Sequence, residues 1–166
     1  VAQSSVGVCS KCVLAAGTPE IAFDGTGVCN YCTSHQPVTY LGEAQLVEVL
    51  ERHRGGRRYD CMVGLSGGRD STYVLLKLVK DYRMKVLAVN YDNPYSDPQA
   101  RRNVDNATRI LGVDLVRFRL PHQFHERSFR RNLRAWMVKP SPGVVPMLCL
   151  ACKSMWWESM KIARKH

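Results

Sequence analysis

Three short apolar runs, separated by two helical patterns, constrain the fold of this chain more than any other feature of its sequence. The runs cover residues 59–65, 85–91 and 115–120, and the helical patterns between them cover residues 71–82 and 98–111. Strands that alternate with helices in this way are joined by right-handed crossovers and therefore lie parallel. The sequence predicts an α/β fold with a doubly wound parallel sheet, in which ligands bind at the carboxyl ends of the strands.

Local signals mark the ends of the second helix and the position of the third strand. Asp97 is a good N-cap residue, Pro98 suits the first helical position, and Gly112 can adopt the left-handed conformation that ends a helix. In the third strand Arg117 and Arg119 alternate with apolar residues, so one of its faces contacts water. This alternation predicts an edge strand rather than a central one.

Three sections follow one another along the 166 residues. We predict a small ribbon rich in Cys and Gly over residues 1–40, a helical connector over residues 41–56 and the α/β domain over residues 57–166. The chain starts with Val1, and its last helical pattern, residues 153–166, has no Gly or Pro terminator. We therefore expect a piece of a longer protein, whose α/β domain is incomplete at the C-terminal end.

Charge and composition narrow the partners and the compartment. The chain has 24 Lys and Arg against 14 Asp and Glu, a formal charge of +10 that favours polyanionic partners, although a solvated basic surface gives the same balance. No apolar run is long enough to cross a bilayer, and residues 1–20 lack the pattern of a secretory signal. We expect a cytoplasmic protein whose seven cysteines bind metal or carry thiol chemistry rather than form disulfides.

Four of the cysteines have the spacing of a zinc site. Two Cys-x-x-Cys pairs are separated by sixteen residues, and their members are Cys9, Cys12, Cys29 and Cys32. Each pair places two thiolates on a tight turn, and the segment between the pairs suits a hairpin that brings them to one tetrahedral ion. The spacing predicts a structural zinc site with no open coordination position, and four ordinary buried cysteines are the alternative.

A glycine-rich loop joins the first predicted strand to its helix. Its residues are Ser66, Gly67, Gly68, Arg69, Asp70 and Ser71. Consecutive glycines let a backbone approach a phosphate, and a helix N-terminus attracts the anion. The Walker spacing and the dinucleotide fingerprint are both missing, so the residues alone leave two interpretations, a phosphate-binding loop and a generic glycine turn.

The loop resembles the SGGxDS pyrophosphate loop of the N-type ATP pyrophosphatases, the adenine nucleotide alpha hydrolase superfamily. The resemblance extends over residues 59–120 and implies an enzyme that binds ATP and Mg²⁺, transfers AMP to a substrate oxygen and releases pyrophosphate. It implies that the six loop residues bind the phosphates and that Asp70 and Ser71 take part in catalysis. Asp92, after the second strand, can hold magnesium or the ribose, or can be an ordinary turn aspartate.

A narrower resemblance joins the cysteine pairs to the loop. The chain resembles the N-acetyl sugar amidotransferases of surface-polysaccharide (lipopolysaccharide) biosynthesis over residues 9–12, residues 18–24 (Thr-Pro-Glu-Ile-Ala-Phe-Asp), residues 27–32 and residues 59–73. The resemblance implies conversion of an acetamido group on a nucleotide-linked or lipid-linked sugar into an acetamidino group. It also implies a glutaminase partner that supplies ammonia.

Two other functions stay open. Cys149 and Cys152 form a third Cys-x-x-Cys pair, and a zinc ribbon, this loop and a later pair in that order also resemble the tRNA 2-thiolation enzymes. That resemblance implies sulfur transfer to RNA or a metabolite and an iron–sulfur cluster, whereas two partly buried thiols in a helix are the plain alternative. A non-enzymatic zinc ribbon that binds nucleic acid would also explain the positive charge.

Two groups of side chains near the predicted strand ends receive weaker assignments. One face of a helix predicted over residues 123–138 carries four arginines that can bind phosphates or simply be solvated; they are Arg127, Arg130, Arg131 and Arg134. His122 and His125 precede that face in the sequence. We expect both histidines to be surface residues.

Overall fold

The computed structural model describes residues 7–166, without the side chains of residues 142, 144, 147 and 149–152. The chain divides into two compact units, one ending at Gly42 and the other beginning at Glu43. In the first unit, antiparallel bridges join Val8 to Ala15 and Phe23 to Cys29, and helix α1 spans Asn30–Thr33. This unit is built mainly from turns and contains the two predicted cysteine pairs.

The second unit alternates strands and helices. Its elements are α2 (Gly42–His53), β1 (Cys61–Gly64), α3 (Arg69–Leu76), β2 (Val86–Tyr91), α4 (Pro98–Leu111), β3 (Asp114–Phe118), α5 (Phe124–Val138) and α6 (Leu150–Lys165). A π-helical turn, Lys77–Asp81, extends α3, and 3₁₀ segments span Pro121–Gln123 and Pro142–Cys149. The predicted order of strands and helices is thus confirmed.

The three strands form a parallel sheet in the order β1–β2–β3. Val63 pairs with Ala88, and Val89 pairs with Val116, so β2 is central and β3 lies at an edge, as its alternating arginines predict. A doubly wound sheet needs a further strand beyond β1, and no strand of residues 7–166 lies there. The parallel α/β fold is confirmed, and its doubly wound form stays a prediction.

One apolar core holds the second unit together. It contains buried side chains of β1 and β2, of the residues that flank these strands, and of α2, α3 and α4; they are Leu50, Val63, Leu65, Leu75, Met84, Val86, Ala88 and Val104. Ala88 and Val104 are completely buried, because both lie within this cluster. The helix predicted as a connector therefore contributes Leu50 to the core of the second unit.

The predicted signals at the ends of α4 are present in the structure. The Asp97 carboxylate accepts a hydrogen bond from the Gln99 N–H at 2.6 Å, and Pro98 is the first helical residue. Gly112 ends the helix with a φ of +65°. These contacts fix where α4 starts, and its first turns lie beside the loop that follows β1, as described below.

Candidate functional site

The four cysteines of the first unit come together around one point. Their sulfur atoms all lie within 4.8 Å of one another, with 3.6 Å between Cys12 Sγ and Cys29 Sγ and 4.0 Å between Cys9 Sγ and Cys32 Sγ. A tetrahedron with Zn–S bonds of about 2.3 Å places its sulfurs about 3.8 Å apart. The donor set and its spacing therefore fit a zinc ion, and four thiolates can hold one metal ion without leaving an open position.

Backbone amides already stabilise negative charge in this cluster. Cys9 Sγ accepts hydrogen bonds from the Cys29 N–H at 3.3 Å and the Lys11 N–H at 3.4 Å. Burial raises the pKa of the Cys9 thiol, but the N–H groups of Cys29, Lys11 and Cys12 outweigh it and lower the pKa to about 6. The neighbouring Cys12 thiol raises the pKa of Cys32 to about 12. Four thiolates at this spacing therefore need a cation to neutralise them.

A turn centred on Asp24 positions the second cysteine pair. Asp24 Oδ1 accepts hydrogen bonds from the N–H groups of Thr26 and Val28, at 2.8 and 3.0 Å. These bonds, led by that from the Thr26 hydroxyl, lower the pKa of the Asp24 carboxyl. The Asn30 side chain accepts from the Ala22 N–H at 3.0 Å and so joins the two sides of the hairpin. The polar residues around the cysteines thus hold the hairpin closed.

In the second unit, the glycine-rich loop of residues 66–71 (the Gly-Gly loop) connects β1 to α3. Gly67 has a φ of +83°, and a Cβ atom at this position would lie 2.1 Å from the carbonyl oxygen of Ala100 in α4. The Asn103 side chain donates to the Gly67 carbonyl at 3.0 Å. Glycine is therefore required at position 67, because the loop backbone packs directly against the first turns of α4.

The two serines of the Gly-Gly loop are bonded to each other. Their hydroxyl oxygens lie 3.0 Å apart, and Ser71 Oγ accepts from the Ser66 N–H at 3.2 Å. The Ser71 hydroxyl also lies 3.2 Å from the Gly68 carbonyl, to which it can donate. Ser66 and Ser71 thus close the loop across its base.

The start of α3 offers free hydrogen-bond donors. Among the described residues, the N–H groups of Arg69, Asp70 and Ser71 have no acceptor, as is usual for the first turn of a helix. The side chains of Arg69 and Asp70 are exposed, and neither has an ion-pair partner in the described part of the chain. The loop therefore combines the positive end of a helix with two unpaired charged side chains.

Asp92 lies at the same edge of the sheet, one strand away from the Gly-Gly loop. Its side chain is 16% exposed and forms ion pairs with Arg101, at 2.7 Å, and with Arg119. The structure thus brings Asp92 to the carboxyl ends of the strands, where the sequence predicts a ligand. Two guanidinium groups hold it there, so a bound cation would have to compete with both of them.

Two asparagines that the sequence reasoning missed support this edge. Asn90 is buried, donates to the Leu65 carbonyl at 2.7 Å and accepts from Arg117 Nε at 3.0 Å, so it links the three strands. Asn103 supports Gly67, as described above. An asparagine within the apolar run of residues 85–91 was the available signal, because a buried amide needs polar partners.

The prediction that His125 is a surface residue is wrong. Its side chain is 3% exposed, its Nδ1 lies 2.7 Å from the Tyr91 hydroxyl, and its ring stacks on that of Tyr91. Tyr95 contacts the same ring edge-on. The first turn of α5 packs against the end of β2, which a single sequence does not reveal. His122 is exposed, as expected.

The third cysteine pair is placed in part. Cys149 ends the 3₁₀ segment Pro142–Cys149, and Cys152 lies in the first turn of α6. The side chains of both residues fall outside the described residues, so their predicted thiol or cluster chemistry stays a prediction.

No family model matches the chain. An uncharacterized protein of Methanocaldococcus jannaschii, MJ1599, is 30% identical over 113 residues, which are 65% of this chain and 41% of that protein. The match thus spans less than half the length of that relative.

Among solved structures, the glutamine-dependent NAD⁺ synthetase of Acinetobacter baumannii, in complex with ADP, aligns with a TM-score of 0.45 and 19% identity. The alignment covers 86% of this chain and 28% of the synthetase. No helix among the described residues is long and apolar enough to cross a membrane.

Proposed function

We propose that this chain is the ATP-binding part of an enzyme that adenylates a substrate oxygen and then lets ammonia displace AMP. The observation that carries the proposal is the geometry of the Gly-Gly loop. At position 67 its backbone has a conformation and a close packing that only glycine allows. The loop also brings three free N–H groups and two unpaired charged side chains to a helix N-terminus. A triphosphate accompanied by Mg²⁺ would use all of these features, because the anion takes the N–H groups and the Arg69 guanidinium and the metal takes the Asp70 carboxylate.

Each part of the loop has its own task in this proposal. The N–H groups of Arg69, Asp70 and Ser71 bind the β- and γ-phosphates, and the Arg69 guanidinium adds charge-assisted hydrogen bonds. The β- and γ-phosphates gain one negative charge when their bond to the α-phosphorus breaks, so donors fixed in advance favour the release of pyrophosphate. The loop is fixed in advance by Asn103 and by the bond between its two serines.

Asp70 is the residue we assign to the metal that accompanies ATP. Its carboxylate is exposed beside the loop and lacks an ion-pair partner among the described residues, whereas Asp92 is already paired with Arg101 and Arg119. A bound Mg²⁺ supplies neutralisation of the phosphate oxygens. Asp92 is assigned to the ribose or to a second metal contact once one of its arginines moves to the nucleotide.

The reaction is balanced as a double substitution. The acetamido oxygen of the acceptor attacks the α-phosphorus of ATP, a P–O bond forms, and the bond to pyrophosphate breaks. Ammonia then adds to the activated carbon, AMP leaves with the original oxygen, and an acetamidine remains after loss of protons. Activation is required because the free amide oxygen is a poor leaving group.

The sugar acceptor and the ammonia source come from the resemblance over residues 9–12, 18–24, 27–32 and 59–73. An N-acetylated, nucleotide-linked or lipid-linked sugar is the proposed acceptor, and a separate glutaminase is the proposed partner. In the same proposal zinc bound by Cys9, Cys12, Cys29 and Cys32 has a structural role only, since four thiolates complete its coordination.

The test measures pyrophosphate release from ATP with and without ammonia and a uridine-diphosphate-linked N-acetyl sugar. We expect release to depend on the sugar, and we expect Gly67→Ala to reduce it at least tenfold, because the new Cβ meets the Ala100 carbonyl. Gly64→Ala is the matched control, since a Cβ at Gly64 has no atom within 4 Å. Sugar-independent release, or equal activity of both variants, would refute the proposal.

A further inference from the structure

Helix α5 carries a stripe of arginines that the proposed reaction does not use. The four residues follow the i, i+3, i+4, i+7 spacing of one helix face and are all exposed; they are Arg127, Arg130, Arg131 and Arg134. At 1.5 Å per residue the stripe is about 10 Å long. Helical spacing thus concentrates four guanidinium groups on one short surface.

These arginines differ from five others in the second unit because no acid neutralises them. Arg54, Arg58, Arg101, Arg117 and Arg119 each form an ion pair with a carboxylate at 3.1 Å or less. Within residues 7–166 none of the four stripe arginines has such a partner, and the one acid of α5 is Glu126. Four unpaired like charges repel one another, and an anion relieves that repulsion.

The stripe forms one wall of an open groove of about 840 Å³. Pro121, His122 and Phe124, which follow β3, line the other part of the groove. Phe124 is 45% exposed, so its ring is open to a ligand in the groove. The arginine groove, meaning these seven residues, thus combines several guanidinium groups with one exposed aromatic ring.

We propose that the arginine groove binds the diphosphate of a nucleoside-diphosphate ligand, with Phe124 stacking on the base. Guanidinium groups bind phosphate oxygens through paired hydrogen bonds, and exposed aromatic rings stack on bases. The groove volume lies within the range of about 300–1,000 Å³ that small-molecule sites have. A site of this kind is separate from the Gly-Gly loop and takes a second ligand.

A nucleic acid is the less favoured occupant. One nucleic-acid-binding module buries about 600–1,000 Å² of protein surface along an extended backbone, whereas this stripe spans two turns of one helix. A nucleoside diphosphate matches the short stripe and the single ring. The identification of this ligand as the nucleotide part of the sugar acceptor rests on the proposed function. The binding of a nucleoside diphosphate in the arginine groove does not.

The experiment titrates the 166-residue chain separately with uridine-diphosphate N-acetylglucosamine, ATP and a twelve-residue oligouridine, using calorimetry. The test variant is Arg127→Gln/Arg134→Gln. The matched control is Arg102→Gln/Arg109→Gln, which removes the same charge from exposed positions of α4. We expect the test variant to bind the nucleotide sugar at least tenfold more weakly, and the control to stay within twofold of the unmodified chain.

ATP provides the readout for the Gly-Gly loop. ATP affinity within twofold in the test variant, together with weakened nucleotide-sugar binding, supports two separate sites. Absent ATP binding counts against the proposed function and leaves the groove result intact. The inference is overturned if the chain does not bind the nucleotide sugar or if the test variant binds it unchanged. It is also overturned if the test variant loses binding to oligouridine but not to the nucleotide sugar. Phe124→Leu should weaken the nucleotide sugar more than inorganic pyrophosphate, and equal effects would contradict stacking.

Discussion

The two units of this chain reach a defined structure by different physical routes. In residues 7–42 the buried side chains of the first unit are Cys9 and Cys29, with Gly27 as the third buried residue. The second unit buries a continuous apolar cluster drawn from the sheet and three helices. We therefore expect the first unit to depend on a metal ion bound by its four cysteines, whereas the second depends on removing apolar surface from water.

This difference follows from size and composition. About forty residues bury too little surface to balance the loss of chain entropy, so small modules of this kind need a metal or cross-links. The cysteine cluster supplies a four-donor site in which Cys9 already accepts two backbone N–H groups. We therefore expect each unit to respond to perturbations that leave the other unchanged.

The largest effect should come from removing the metal. Structural zinc in small domains contributes about 10–16 kcal/mol of apparent binding free energy. Chelation should therefore unfold residues 7–42 and leave the second unit, the sheet unit of residues 43–166, folded. Amide NMR spectra before and after chelator addition, with zinc content by mass spectrometry, measure this. Cys61→Ser is the control, since Cys61 lies outside the cluster and should keep the zinc. Unchanged first-unit resonances after zinc loss would contradict the comparison.

Truncation of a core side chain should destabilise the sheet unit and leave the zinc-binding unit unchanged. Leu75 is completely buried, so Leu75→Ala should lower the unfolding free energy of the sheet unit by about 2–5 kcal/mol while zinc content stays the same. Urea unfolding followed by far-ultraviolet circular dichroism gives the value. Ile110→Ala is the control, because it removes a side chain that is 68% exposed. It should change the unfolding free energy of the sheet unit by about 0.5 kcal/mol or less. Similar losses in both variants would show that the assigned core is wrong.

How much the sequence predicts differs between the fold and the site. Apolar periodicity and the signals around α4 give the order of the strands and helices, because periodicity follows directly from burial. Strand ends were predicted less well: residues 59–65 were expected to be extended, but β1 starts at Cys61. Just before β1, the Asp60 carboxylate accepts from the N–H groups of Gly55 and Lys85, and such side-chain bonding between distant segments is not visible in local periodicity.

The site shows the same limit more clearly. The Gly-Gly loop was identified from its residue types, but the reason for Gly67 is the carbonyl of Ala100, thirty-three positions later. Asn103 and His125 likewise acquire their roles through contacts between distant segments. Local spacing carries no information on such contacts. A single sequence therefore predicts which residues can bind a phosphate at this edge of the sheet better than it predicts the residues that hold them in place.

A smaller effect should come from the cap of α4, which helps the sheet unit without belonging to its core. Asp97→Ala removes the acceptor of the Gln99 N–H and should cost about 1 kcal/mol of unfolding free energy, with no change in zinc content. Asp97→Asn keeps a capping oxygen and should cost only a few tenths of this amount. Urea unfolding compares the two variants. Equal losses in both would mean that charge rather than the hydrogen bond matters at this position.

We expect the smallest effect from the protonation of His125, a buried residue of the sheet unit. Burial lowers the pKa of His125 below its ordinary value of 6.5, although the nearby Glu126 opposes the shift. The rings of Tyr91 and Tyr95 pack against it, so the folded state favours the neutral imidazole. Below pH 6.5 the unfolded chain takes up a proton more readily, and the stability of the sheet unit should therefore fall as the pH decreases from 7.5 to 5.5.

His125→Phe keeps the ring stacking and removes the titrating group, so its unfolding free energy should vary less over this range. His122→Gln, at an exposed position, should behave like the unmodified chain. Because metal release from the cysteines also increases at low pH, the measurement follows tertiary signals of the sheet unit alone. A pH dependence in His125→Phe equal to that of the unmodified chain would assign the effect to other groups.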